Sequence, residues 1–124
     1  MASRAPLSVG TDLVEVRRIA RLVRDTRFLA RVFTAEEVRY CRTKRNAAQH
    51  FAVRFAAKEA VWKALGDVPA IRGIALKSIG VRRAPSGKPA VLLPARLKRF
   101  EKKLALSLSH TSDYATAVAV YLAR

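Results

Sequence analysis

One cysteine, Cys41, is the chain's only thiol, so neither an intramolecular disulfide nor a thiolate metal cluster can be built from it. That usage points to a reducing compartment, with Cys41 read as a small, half-buried apolar residue. Acidic residues are scarce too: nine Asp and Glu stand against twenty-five Lys and Arg. Long apolar runs are missing, and no segment approaches the roughly eighteen consecutive apolar residues of a membrane-spanning helix. The opening Met1-Ala2-Ser3-Arg4-Ala5-Pro6 leads into a stretch interrupted by Asp12 and Glu15, which argues against a signal peptide. A soluble, cytoplasmic protein is expected. There is no repeat, no low-complexity run, no linker and no glycine-rich phosphate loop ending in Lys-Ser/Thr.

What is present is a chain of 124 residues, about the commonest size for one domain, with half its residues hydrophobic and a formal charge of +16. Residues 1–124 are read as a single domain whose charge sits on a folded surface. Such a surface attracts polyanions: nucleic acid, anionic membrane, a phosphorylated small molecule or an acidic protein. Charge does not choose among them.

Leu7 to Val16 reads as a first strand, running into a helix that carries Arg17, Arg18, Arg21 and Arg24. Thr34-Ala35-Glu36-Glu37 has capping-box spacing, predicting a second helix over 35–43. A third, of about five turns, begins near Asn46 and carries Phe51, Phe55 and Trp62, with Gly66 placed for a left-handed C-cap. The stretch from Asp67 to Gly73 is irregular and reads as a mobile loop. Ser78 to Arg83 and Ala90 to Leu93 read as strands around the turn Ala84-Pro85-Ser86-Gly87-Lys88-Pro89. Pro94 suits the first turn of a short helix to about Lys103, and Leu104–His110 with Tyr114–Leu122 read as a closing hairpin. The expected fold is α+β, a mainly antiparallel sheet packed with a long central helix.

Within that frame, Asp12 sits in an apolar strand beside Leu13 and Val14, which read as buried, and Glu59 in an apolar helix. A buried carboxylate needs a partner. Asp12 could cap the next helix or pair with an arginine, and Glu59 could pair with Lys63 one turn on. Together the two carboxylates supply hard oxygen ligands suited to Mg²⁺, completed by water and a phosphate. On the same helix Arg54 aligns with Lys58. At roughly 100° per residue Arg54 and Lys63 lie nearly opposite, so one cleft in one subunit could hardly be lined by both. His110, at the end of Ser107-Leu108-Ser109-His110, reads first as a hydrogen-bonded core residue, and His50 has no supporting motif.

In this order, Val9-Gly10-Thr11-Asp12-Leu13-Val14-Glu15, the helix from Arg54 to Gly66 and Ser107-Leu108-Ser109-His110 resemble three motifs of the holo-acyl-carrier-protein synthase family of 4′-phosphopantetheinyl transferases. The resemblance covers about positions 7 to 122 and includes the Gly87-Lys88-Pro89 turn. It departs at Gly80, where many relatives carry Glu, and at Trp62, where smaller residues are common.

What the resemblance implies is Mg²⁺-dependent transfer of 4′-phosphopantetheine from coenzyme A to a serine of apo-acyl carrier protein, releasing adenosine 3′,5′-bisphosphate. It implies Asp12 and Glu59 as metal ligands, and Glu59 and Lys63 as catalytic residues. Arg54, Lys58 and His110 become contacts to coenzyme A, and Arg17, Arg18, Arg21 and Arg24 the docking surface for an acidic carrier. Relatives of this size form trimers with sites between subunits, which would explain why Arg54 and Lys63 face apart. The rival expectation is a non-enzymatic nucleic-acid-binding module, motivated by the charge and by Lys98-Arg99 with Lys102-Lys103.

Overall fold

The computed structural model describes residues 6–123, so the Met1–Ala5 opening lies outside it. Strand β1 (Leu7–Glu15) is followed by helices α1 (Val16–Leu22), α2 (Thr26–Val32), α3 (Ala35–Arg42) and the long α4 (Ala47–Ala64). Two single-turn 3-10 helices, Pro69–Ile71 and Leu76–Ser78, lead to β2 (Gly80–Arg83) and β3 (Pro89–Leu92). A longer 3-10 helix, Ala95–Lys103, then precedes β4 (Leu104–His110) and β5 (Tyr114–Leu122). β1, β5 and β4 form an antiparallel sheet in that order, and β2 pairs with β3 as a separate antiparallel hairpin.

α4 crosses the inner face of the larger sheet, packing on β1 and β5. Small residues make the approach close: Ala56, Ala57, Ala60 and Ala64 on the helix meet a strand whose inward positions begin with Ala115, Ala117 and Ala119, all of them buried, before Tyr121. The closest point is Gly10. A Cβ there would sit 2.0 Å from the Ala60 carbonyl oxygen and 2.7 Å from the Ala64 amide nitrogen, so only glycine lets the strand backbone touch the helix backbone. The other helices and the hairpin surround α4, which is why it is apolar on nearly every side rather than striped.

Several expectations need correction. The segment after α1 holds a further helix, α2, capped by Asp25, whose carboxylate accepts from the Arg27 amide at 2.8 Å; Arg24 therefore lies beyond α1, in the turn. Gly66 is not a left-handed cap, because the chain leaves α4 through tight turns in which the Gly66 amide donates to the Lys63 carbonyl and the Val68 amide to that of Leu65. Residues 67–73 include the Pro69–Ile71 turn and bury Val68 and Ile71. Cys41 is fully buried rather than half-buried, and Leu13 is 68% exposed because strand alternation turns Asp12 and Val14 inward and Leu13 outward.

The capping box is as expected, with Glu37 accepting from the Thr34 amide at 2.8 Å and Thr34 accepting from the Glu37 amide at 3.1 Å. So is the turn before β3, where Gly87 takes a φ of 90°.

Candidate functional site

Two clusters form on separate surfaces of α4. At its C-terminal end, Lys63 does not pair with Glu59 as the helical spacing allowed. It reaches across to β1, donating to the Thr11 carbonyl at 2.9 Å and to Asp12 Oδ1 at 3.3 Å. Glu59 is left facing the same point. Its carboxyl is pushed above the ordinary range, first by burial and then by the charge of Asp12, while Lys63 and Arg18 oppose the rise. Asp12, Glu59, Lys63 and Arg18 are thus electrostatic neighbours. Asp12 is fixed by the strand, where its carbonyl accepts from the Thr116 hydroxyl at 2.9 Å.

A half-buried carboxylate facing a second one is relieved by a cation, and oxygen donors suit a hard divalent ion. Among the described residues no third acid, His or Cys joins them, so other ligands would come from water or substrate. The residues fit Mg²⁺ on that footing. Trp62, 46% exposed, stands beside Lys63, and α1 runs alongside α4 with Arg17, Arg18 and Arg21 exposed over buried Val16 and Ile19.

On the other surface, near the middle of the helix, Arg54 is only 9% exposed. Its guanidinium lies 4.4 Å from the centre of the Tyr40 ring and donates to the His50 carbonyl at 3.3 Å. No carboxylate among the described residues lies within ion-pair distance of it. A buried cation without a counter-ion is an anion site by default. It lines a cavity of about 620 Å³, together with His50, Arg83, Lys88, Ser107 and His110. A second cavity of about 500 Å³, on the Thr34 and Leu92 side, shares Arg54, Tyr40 and Val81–Arg83 with the first.

Burial holds the His50 imidazole below its usual range, and the charges of Arg54, Lys44, His110 and Arg83 depress it further. Sequence reasoning passed over His50, Arg83 and Lys88; the available signal was that His50 precedes Arg54 by one helical turn.

Lys58 corrects the sequence expectation. It shares a ridge with Arg54 but is fully buried, with Nζ 2.7 Å from Glu37 Oε1 and donating to the carbonyls of Ile79 at 2.7 Å and Leu76 at 3.3 Å. Burial pushes its pKa down, and Glu37 opposes this. With its donors so engaged and no surface, it is not placed to hold a phosphate.

Residues 8–119 match the model of the 4′-phosphopantetheinyl transferase superfamily. The chain is 45% identical over 121 residues to the holo-(acyl-carrier-protein) synthase of Syntrophotalea carbinolica, covering 91% of this chain and 93% of that one. Among solved structures it resembles the holo-(acyl-carrier-protein) synthase of Neisseria meningitidis with a TM-score of 0.78 and 32% identity, over 92% of this chain and 96% of that one. The synthase of Bacillus anthracis, solved in complex with CoA (3′,5′-ADP), matches with a TM-score of 0.73 and 28% identity, over 92% and 94% of the two chains.

Proposed function

The chain belongs to the 4′-phosphopantetheinyl transferase superfamily and is an enzyme of the phosphopantetheinyl transferase class, and on that premise we propose the reaction it runs. It transfers 4′-phosphopantetheine from coenzyme A to a serine of an apo-acyl carrier protein, with Mg²⁺, releasing adenosine 3′,5′-bisphosphate. The observation that carries this reading is the convergence of Asp12, Glu59 and Lys63 from strand and helix on one point. Being an enzyme, the chain is no longer served by the rival nucleic-acid module. Its single cysteine fits a cytoplasmic setting.

In this mechanism the serine hydroxyl oxygen attacks the β-phosphorus of coenzyme A. The new O–P bond forms as the phosphoanhydride bond breaks, and the electron pair leaves on the adenosine bisphosphate. Mg²⁺, held by Asp12 and Glu59, would supply charge neutralisation for the pyrophosphate. Lys63, oriented by Asp12 and the Thr11 carbonyl, adds a cation where negative charge accumulates. Glu59, at the same point, accepts the serine proton in its ionised form, which a neighbouring cation favours. Arg54 and His110 bind coenzyme A phosphate in the larger cavity, with His50, Arg83 and Lys88 beside them. Arg17, Arg18 and Arg21, with Arg24 in the turn beyond, meet the acidic carrier.

The two clusters face apart on one helix, so the reaction needs both from different copies of the chain. The larger sheet supports such an assembly: its outer face exposes Leu7, Val9, Leu13, Val118 and Leu122, an apolar surface of the kind that copies of a chain cover. We assign a trimer with interfacial sites.

The test is direct. Protein incubated with coenzyme A, Mg²⁺ and apo-acyl carrier protein should add one phosphopantetheine to the carrier by mass spectrometry. Asp12→Ala or Glu59→Ala should slow this by ~100-fold or more, since charge stabilisation of this kind is worth that much. Near-normal turnover in either variant would reject the two-carboxylate site.

A further inference from the structure

We propose that Glu37 is a positioning residue for coenzyme A: its carboxylate sets the place of the β2–β3 hairpin against Arg54 and so shapes the cavity that receives the phosphates. The inference rests on the assignment of coenzyme A to that cavity.

Capping-box glutamates are ordinarily solvated, because one end of a helix lies at the surface. Glu37 is 4% exposed, and each of its oxygens has a distinct task. Oε1 accepts from the Thr34 amide at 2.8 Å and lies 2.7 Å from Lys58 Nζ, tying the start of α3 to the middle of α4. Oε2 accepts from the Val81 amide at 2.7 Å, tying both helices to β2. Lys58 completes the junction through the carbonyls of Leu76 and Ile79, on the segment that leads into β2. One buried ion pair between α3 and α4 therefore anchors the hairpin through its hydrogen bonds, and among the described residues no ion pair joins α4 to the hairpin directly.

What hangs on that anchor faces the ligand. Val81, Arg82 and Arg83 line both cavities with Arg54, and Lys88 at the far end of the hairpin lines the larger one with His110. Arg54 is one turn before Lys58 on the same ridge, so the ammonium that fixes the hairpin and the guanidinium that waits for an anion are placed by the same stretch of helix. Two cationic walls, one on α4 and one on the hairpin, must stand a phosphate apart. Glu37 and Lys58 meet between those walls, and their hydrogen bonds to the Val81 amide and to the Leu76 and Ile79 carbonyls hold the hairpin's start at a fixed distance from α4.

Glu37→Gln keeps the size and one acceptor oxygen, for the Val81 amide, but puts a donor NH₂ where Oε1 took the Thr34 amide and the Lys58 ammonium. The expected result is a rise of roughly tenfold in KM for coenzyme A, with kcat at saturating coenzyme A and KM for the apo-carrier within about twofold of the unmodified protein. Thr34→Val is the control: it removes the hydroxyl cap of α3 while leaving both Glu37 oxygens engaged, and should lower thermal stability without changing KM for coenzyme A.

If Glu37→Gln fails to fold, the double variant Glu37→Gln with Lys58→Met, which leaves no buried charge unpaired, carries the same expectation. An unchanged KM for coenzyme A in the folded variant, or an equal rise in Thr34→Val, overturns the proposal. Arg54→Ala separates it from the reading beneath: an unchanged KM there would remove coenzyme A from this cavity and the proposal with it. A rise in Arg54→Ala without one in Glu37→Gln would reject Glu37 alone.

Discussion

At the scale of single residues, Arg54 and Lys58 show how far a sequence reaches. Both are basic, both lie on one ridge of α4, and nothing local distinguishes them. The difference is Glu37, twenty-one residues upstream of Lys58, which is legible as a helix cap but not as the partner of a buried ammonium. Asp12 and Glu59 were easier, because a carboxylate in an apolar segment of a chain poor in acids advertises a need for a counter-ion. His50 was illegible for the opposite reason: its role comes from the charges around it rather than from a motif. Because its folded pKa lies below the ordinary 6.5, its neutral form contributes stability above that value, and this is lost as pH falls through the folded pKa. A bound phosphate would reverse the local field. Coenzyme A should therefore move the His50 titration upward, read from its imidazole proton resonances by NMR; an unmoved midpoint would mean that no anion settles beside it.

Among the elements, the strands of the closing hairpin and the length of α4 were legible because period-2 and long apolar patterns are strong local signals. α2 is not legible although Asp25 caps it and Phe28, Leu29 and Val32 fall on one face; seven residues interrupted by Arg27 and Arg31 give a weak pattern. The contact of β1 with α4 was only partly readable, since Gly10 marks a close approach without saying to what. Gly10→Ala should cost ~2 kcal/mol or more, in the upper range for overpacking, because the new methyl meets main-chain atoms that cannot rotate away. Urea unfolding would measure it, and a variant as stable as the parent would show that the strand and helix can separate at little cost.

For the whole molecule, the informative pattern lies in β1. Its inward positions are Ser8, Gly10, Asp12 and Val14, while Leu7, Val9 and Leu13 face out, the reverse of a strand that buries one greasy side in its own core. The sheet gives small and polar residues to its own helix and leaves an apolar surface exposed, the face on which the proposed assembly would rest. Val118→Glu, at the centre of that face, should leave circular dichroism unchanged, reduce the mass seen by light scattering to that of one chain, and abolish transfer. A fully active single chain would dismiss the interfacial site. The proposed assembly is the level least legible from one chain, whose own contribution to the argument is that Arg54 and Lys63 diverge. Trp62 has a spectroscopic consequence of its own: it is the chain's only indole, solvent-facing and one turn from Glu59, so selective excitation gives an emission that reports on the carboxylate end of α4.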